Sequence, residues 1–174
     1  MAGKPPNAAS LYEAALNHIA RYAATEASLA RVLGRRIDRW AREQEDAEDA
    51  VRAAKREIPG VLARLKELGV LNDDAFAAAR AKRLTREGKS RRATLAHLAA
   101  KGVRNATLPD DPERELAAAC AYLRRRRAGP FGAAAADKVL AAMARGGFSQ
   151  GVARRALALG REEAEALIKG LSSP

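Results

Sequence analysis

Residues 69–103 read GVLNDDAFAAARAKRLTREGKSRRATLAHLAAKGV, and the parsing of this stretch decides the fold. Phe76, Ala79, Ala81 and Leu84 recur at helical spacing, which predicts a helix that stops around Gly88. Asn72 can cap it, and Asp73 and Asp74 in its first turn favour the positive end of the helix dipole. Ser90 can cap a second helix, RRATLAHLAAK, which closes at Gly102. After its acidic opening the chain turns basic: from Arg80 to Arg104, the cations Arg80, Lys82, Arg83, Arg86, Lys89, Arg91, Arg92, Lys101 and Arg104 are opposed only by Glu87. Most of these cations fall at a helix end or opposite the leucines. Two helices joined by a short turn can then present them to successive phosphates.

The whole chain shares this character. Its 174 residues carry 32 Lys+Arg against 21 Asp+Glu, a formal charge of +11, which suits a polyanionic partner, with nucleic acid the leading candidate. Of the 48% hydrophobic residues a large share is alanine and only 4% of the chain is aromatic, which favours an all-α protein with close helix contacts made by Leu, Val and Ile. No apolar run approaches the roughly 20 residues needed to span a bilayer. The lone Cys120 excludes an internal disulfide, and its alanine neighbours mark it as a buried structural thiol in a reducing compartment. The N-terminus lacks the apolar core of a secretory signal, so a cytoplasmic protein is expected.

Outward from the opening stretch, Ser10 can cap a helix with Leu11, Ala15, Leu16, Ile19 and Tyr22 on one face, and Thr25 starts another with Leu29, Val32 and Leu33 inward. Residues 38–57 read as one exposed, highly charged helix. A new helix is expected near Ile58, with Pro59 in its first turn, a stripe of Leu62, Leu65 and Leu68, and Gly69 at its end. Residues 105–112 form a loop. ERELAAACAYLRRRRAG is the next helix, broken by Gly129 and Pro130. A further helix runs from about Phe131 to Arg145, and Gly146 and Gly147 lead into a last pair of short helices.

A spacing recurs in this series. Leu29, Val32 and Ile37 are separated like Leu95, Leu98 and Val103, and like Leu140, Met143 and Phe148. At the turn Gly102 and Gly147 correspond, where the first copy has Arg36. The unit is read as a three-helix module, helix-turn-helix-like, repeated in tandem. The expected organisation is a flexible tail at 1–9, repeat 1 at 10–71 with the extended charged helix at 38–57, repeat 2 at 72–112, repeat 3 at 113–170 and a frayed tail at 171–174.

At GVLNDDAFA, residues Gly69 to Ala77, the sequence resembles the RecX family, bacterial regulators of the RecA recombinase, in which Gly-Tyr-Leu-Asp-Asp-x-x-Phe-Ala is common. LAHLAAKGV is similar to the family's leucine-rich helix ending in Lys-Gly-hydrophobic, here Lys101, Gly102 and Val103, and AMARGGF is a weaker echo. The resemblance covers roughly residues 16–159. Val70 stands where the family usually has Tyr and Asn72 where it has the first Asp, and the charged helix at 38–57 adds length. The resemblance implies an elongated, curved chain of three-helix repeats that lies in the groove of the RecA filament and modulates strand exchange and RecA's ATPase, most simply by inhibition.

The expected contacts to DNA or the RecA filament are Arg31, Arg35 and Arg39; Lys82, Arg83, Arg86, Lys89, Arg91, Arg92, Lys101 and Arg104; and the run Arg124, Arg125, Arg126 and Arg127. Four consecutive arginines project all around a helix, so some of the last group must pair with acids. DNA binding is expected to be non-specific, to single or double strands, by a monomer with no membrane partner. A self-standing DNA-binding protein and a scaffold for an acidic protein are the alternatives. Catalysis, cofactors and metals are not expected. His18 and His97 are too few and too far apart, no phosphate-cradling Gly-rich motif exists, and Asp73/Asp74 and Asp110/Asp111 read as capping and turn residues.

Overall fold

The computed structural model describes residues 4–171, and over these the protein is all-α, with nine α-helices, a short 3₁₀ turn and no strand. The tails expected at 1–9 and 171–174 lie partly outside the described residues. The chain sorts into two compact units, one made of residues 1–76 with 101–103 and the other of residues 77–100 with 104–174.

The first unit is built on α1 (Ala8–Ile19), α2 (Glu26–Ala41) and α3 (Glu48–Glu67). Asn7, not Ser10, caps α1; Ser10 stands three residues on and closes a reciprocal capping box with it. Leu11 and Ala15 are buried whereas Leu16 and Tyr22 are exposed, because the buried stripe follows the four-residue spacing and Tyr22 lies past the helix end. Thr25 caps α2 as expected, and its buried face is Leu29, Leu33 and Ile37, with Val32 only half-buried.

The charged helix expected at 38–57 is instead two elements. α2 stops at Ala41, Asp46 takes a left-handed backbone with φ 52°, and α3 starts at Glu48, where Glu48 and Asp49 face the positive end of its dipole. α3 then continues through Pro59, so no helix begins at Ile58. Burial of Ala54, Val61, Leu62 and Leu65 on one face holds the helix across the hydrogen bond that proline cannot make. Leu68, expected in that stripe, is exposed because α3 is already ending. Gly69 (φ 69°) closes it, with the amides of Val70 and Leu71 both donating to Leu65 O.

Asn72 caps α4 (Asp73–Arg86) through Ala75 N. Asp73 has a further task, since its Oδ1 accepts from Glu26 N at 2.8 Å and so satisfies the start of α2. Residues 101–103 complete this unit. The buried Thr25 hydroxyl donates to Lys101 O at 2.6 Å, and Gly102 (φ 100°) lies so close to Ala27 that a side chain there would collide with the alanine methyl.

The second unit holds the rest of α4, α5 (Arg91–Ala100), α6 (Pro112–Arg126), a 3₁₀ turn (Gly129–Phe131), α7 (Ala136–Arg145), α8 (Gln150–Ala158) and α9 (Arg161–Gly170). α6 is buried nearly all round by Leu116, the small run Ala117 to Ala121 and Leu123, so α8 and α9 can pack close to its backbone. Cys120 lies in that run, fully buried, and burial pushes its thiol up to about 11. α7 starts five residues later than Phe131, because Pro130 and Phe131 are held in the 3₁₀ turn and Gly132 packs against the carbonyl of Arg127.

The second and third copies of the apolar spacing agree in detail. Leu98 and Met143 are fully buried, Val103 and Phe148 are buried after the turn, and Gly102 and Gly147 both have positive φ. Ser90 caps α5 and donates to Gly146 O at 2.7 Å, as Thr25 does to Lys101 O. The first copy departs, since α2 carries Arg36 and Ile37 straight on as helix. A second register, not apparent from the leucine spacing, links Leu84, Gly88 and Ser90 with Met143, Gly147 and Ser149: a buried side chain, a positive-φ glycine and a capping serine.

Candidate nucleic-acid interface

Two of the cationic groups expected from the sequence meet within the second unit. Arg83 and Arg86 occupy the last turn of α4, and Arg124 to Arg126 the last turn of α6, where cations offset the negative end of each dipole. These helix ends come together because residue 88 is glycine. With φ 75° and no side chain, Gly88 lets the α4–α5 turn press on α6, where a Cβ would stand 2.5 Å from Tyr122 N. Arg125 Nη1 donates to Glu87 O at 2.9 Å across the same contact. Arg86, Lys89, Arg124 and Arg127 belong to the two helix ends that meet at this corner; all four are exposed, and none is ion-paired among the described residues.

The other cations in these groups are tied to the protein. Arg83 Nε donates to Glu87 Oε1 at 2.8 Å, and that bond holds the Glu87 carboxyl below the ordinary carboxylate range. Arg80 Nε donates to His97 Nε2 at 3.1 Å, and the Arg126 guanidinium lies 4.7 Å above the Tyr122 ring. Arg92 Nη2 donates to Ala144 O at 3.3 Å. Arg91 donates through Nε and Nη2 to Leu108 O at 3.0 and 2.9 Å, and its backbone N–H goes to Glu115 Oε2. Burial pushes the Glu115 carboxyl up despite that bond.

Arg91 thus fastens the loop before α6. Arg91→Gln should cost about 1–2 kcal/mol for the lost bonds to Leu108 O. Amide exchange at residues 105–110 should speed up in the variant; unchanged exchange there would show that the loop holds itself.

Lys82, Lys101 and Arg104 are exposed, Lys82 on α4 and the other two on the connection from α5 to α6. Arg31, Arg35 and Arg39 form an exposed stripe on α2 at four-residue spacing. There the structure adds residues that the sequence did not single out. An open groove of about 750 Å³ between α1 and α2 is lined by Arg35 and Arg39 and also by Arg21, Arg36, His18 and Tyr22. The His18 and Tyr22 rings are 5.1 Å apart at the turn after α1. His18 lies in the last turn of α1 and Tyr22 just past its end, and their four-residue separation was the available signal.

Among the described residues no three His, Cys, Asp or Glu side chains gather as a metal would require, and no helix is long and apolar enough to cross a membrane. No protein-family model matches the chain, and no solved structure does. A protein of Myxococcus xanthus (strain DK1622) named regulatory protein RecX is 34% identical over 159 residues, which cover 84% of this chain and 83% of that protein. With Gly69 serving as a helix stop and Asn72 as a helix cap in the Gly69 to Ala77 motif, and an identity of that extent, the chain belongs to the RecX family.

Proposed function

We propose that this protein is a cytoplasmic, non-enzymatic regulator that binds the RecA nucleoprotein filament and restrains its recombinase and ATPase activity, with non-specific DNA contacts contributing to the affinity. The observation that carries this reading is the relationship to a regulatory protein RecX over most of both chains. The formal charge of +11 and the unpaired corner of Arg86, Lys89, Arg124 and Arg127 support it, since a filament built on nucleic acid presents phosphates that such a corner can meet. The nine helices of the described residues are read as tandem three-helix modules, monomeric on the filament; counting α6, packed on the α4–α5 turn, as the third helix of the middle module moves the boundary expected at 112/113 to the end of α6.

The test is the DNA-dependent ATPase of RecA, titrated with this protein at concentrations too low to coat the DNA. Suppression is expected there. If suppression follows only when the DNA is saturated, the protein acts as a DNA-coating protein without RecA specificity. Binding to plain DNA should also fall steeply with salt, log affinity dropping by roughly 0.7–0.9 per phosphate contact for each unit of log salt. A flat titration would remove the electrostatic part of the reading.

A further inference from the structure

The groove between α1 and α2 brings several arginines together with a largely exposed aromatic ring. Arg21, Arg35, Arg36 and Arg39 line it, all exposed and none ion-paired among the described residues, and Glu13 is the carboxylate that opposes them. By contrast Lys55 and Lys66 on α3 are paired with Asp38 and Glu26. Tyr22, which also lines the groove, is 61% exposed, the most exposed large hydrophobic side chain among the described residues, and the His18 ring in the last turn of α1 lies 5.1 Å from it. A largely exposed tyrosine ring thus stands beside four guanidiniums that share a single carboxylate in the groove lining.

We propose that this groove is a subsite for single-stranded nucleic acid, in which the arginines hold successive phosphates and an unpaired base stacks on Tyr22. Arg35 and Arg39 are one helical turn apart, about 6 Å along α2, comparable to the spacing of adjacent phosphates on an extended strand. The ring decides the class of ligand. A base in a duplex already has both faces stacked, whereas a base in a single strand offers a free face, and stacking of this kind tolerates any base. An acidic peptide would satisfy the arginines and leave the ring uncovered. The proposal rests on the reading of the chain as a DNA-binding regulator and gives that reading its strand preference.

The test measures anisotropy of a labelled oligothymidylate of about 15 nucleotides, beside an abasic strand of equal length and a duplex, for the full chain and three variants. Tyr22→Ala should weaken oligothymidylate binding roughly fivefold to a hundredfold, the range for one lost stacked base, and leave the abasic strand unaffected. Tyr22→Phe should bind like the parent. Arg35→Gln combined with Arg36→Gln and Arg39→Gln should weaken both single strands and flatten the salt slope by about 2. All of these side chains are exposed, and circular dichroism melting checks that each variant folds.

Equal binding by Tyr22→Ala, an equal loss on the abasic strand, an unchanged salt slope, or duplex binding with the same dependence on Tyr22 would each overturn the subsite. So would displacement of the oligonucleotide by polyglutamate that depends on Tyr22, which would make the occupant an acidic protein. A parent chain that binds none of the strands would remove the DNA-binding reading itself. A parent that binds while all variants match it removes only the groove.

Discussion

Gly88→Ala should lower the melting temperature by on the order of 10 °C, as much as truncating a buried leucine. Two costs add. An alanine at φ 75° sits in the left-handed region, which costs about 1–2 kcal/mol, and its methyl would stand 2.5 Å from Tyr122 N and 2.7 Å from Tyr122 Cα. Those are backbone atoms in the middle of the buried helix α6, so no side chain can swing aside, and the overlap adds about 1–3 kcal/mol. At roughly 2–4 °C per kcal/mol for a chain of this size the sum gives the stated shift. Gly60→Ala is the matched control: Gly60 lies inside α3 with nothing within 4 Å of its added methyl, so alanine there should stabilise by about 0.5–1 kcal/mol. If the two variants melt together, the turn is not clamped on α6.

Neutralising the corner of unpaired cations should affect function and leave folding alone. Arg86, Lys89, Arg124 and Arg127 changed together to Gln lose four charges and no ion pair, and Gln ranks close to Arg and Lys in helix propensity. If most of them meet phosphates, affinity for the filament should fall on the order of a hundredfold near physiological salt, read as the concentration that half-inhibits RecA's ATPase. Net charge alone could weaken binding, so a second variant removes four cations that are already paired: Arg52, Lys55, Lys66 and Arg161, held by Asp49, Asp38, Glu26 and Glu165. Its potency should change little. Equal losses in both variants would mean that potency tracks total charge and that this corner is not the site.

The arginines show where sequence reading stops. Their number, their concentration at helix ends and the helices that carry them were all legible, because capping residues and apolar spacing act over three or four positions. Which of them are free was not. Arg91 and Arg92 look as available as Lys89 on paper, yet their partners, Leu108 O and Ala144 O, are main-chain carbonyls brought near by folding and invisible to charge counting. Replacing all of the cations in residues 83–92 would therefore confound loss of contact with loss of structure.

Pro59 misled for a related reason. Local propensity places it at a helix start, whereas burial of Val61, Leu62 and Leu65 on the same face as Ala54 outweighs one missing hydrogen bond. The groove between α1 and α2 was half legible, its arginines from the off-face positions of α2 and its tyrosine not at all.

The bond from Thr25 to Lys101 O orders events during synthesis. A ribosome releases a chain from its N-terminus, and a body made of consecutive residues can fold as soon as its last one emerges. The unit built from α1 to α3 cannot finish that way, since residues 101–103 belong to it. At about 5–20 residues per second, making residues 77–103 takes about 1–5 s, and throughout that interval the hydroxyl of Thr25 has no Lys101 carbonyl to meet and the surface at Ala27 has no Gly102 upon it. By the time the latch arrives, α4 and α5 have already been translated. The birth order of the two bodies is interleaved, and the N-terminal one lacks a piece that the ribosome makes only after it has begun the other.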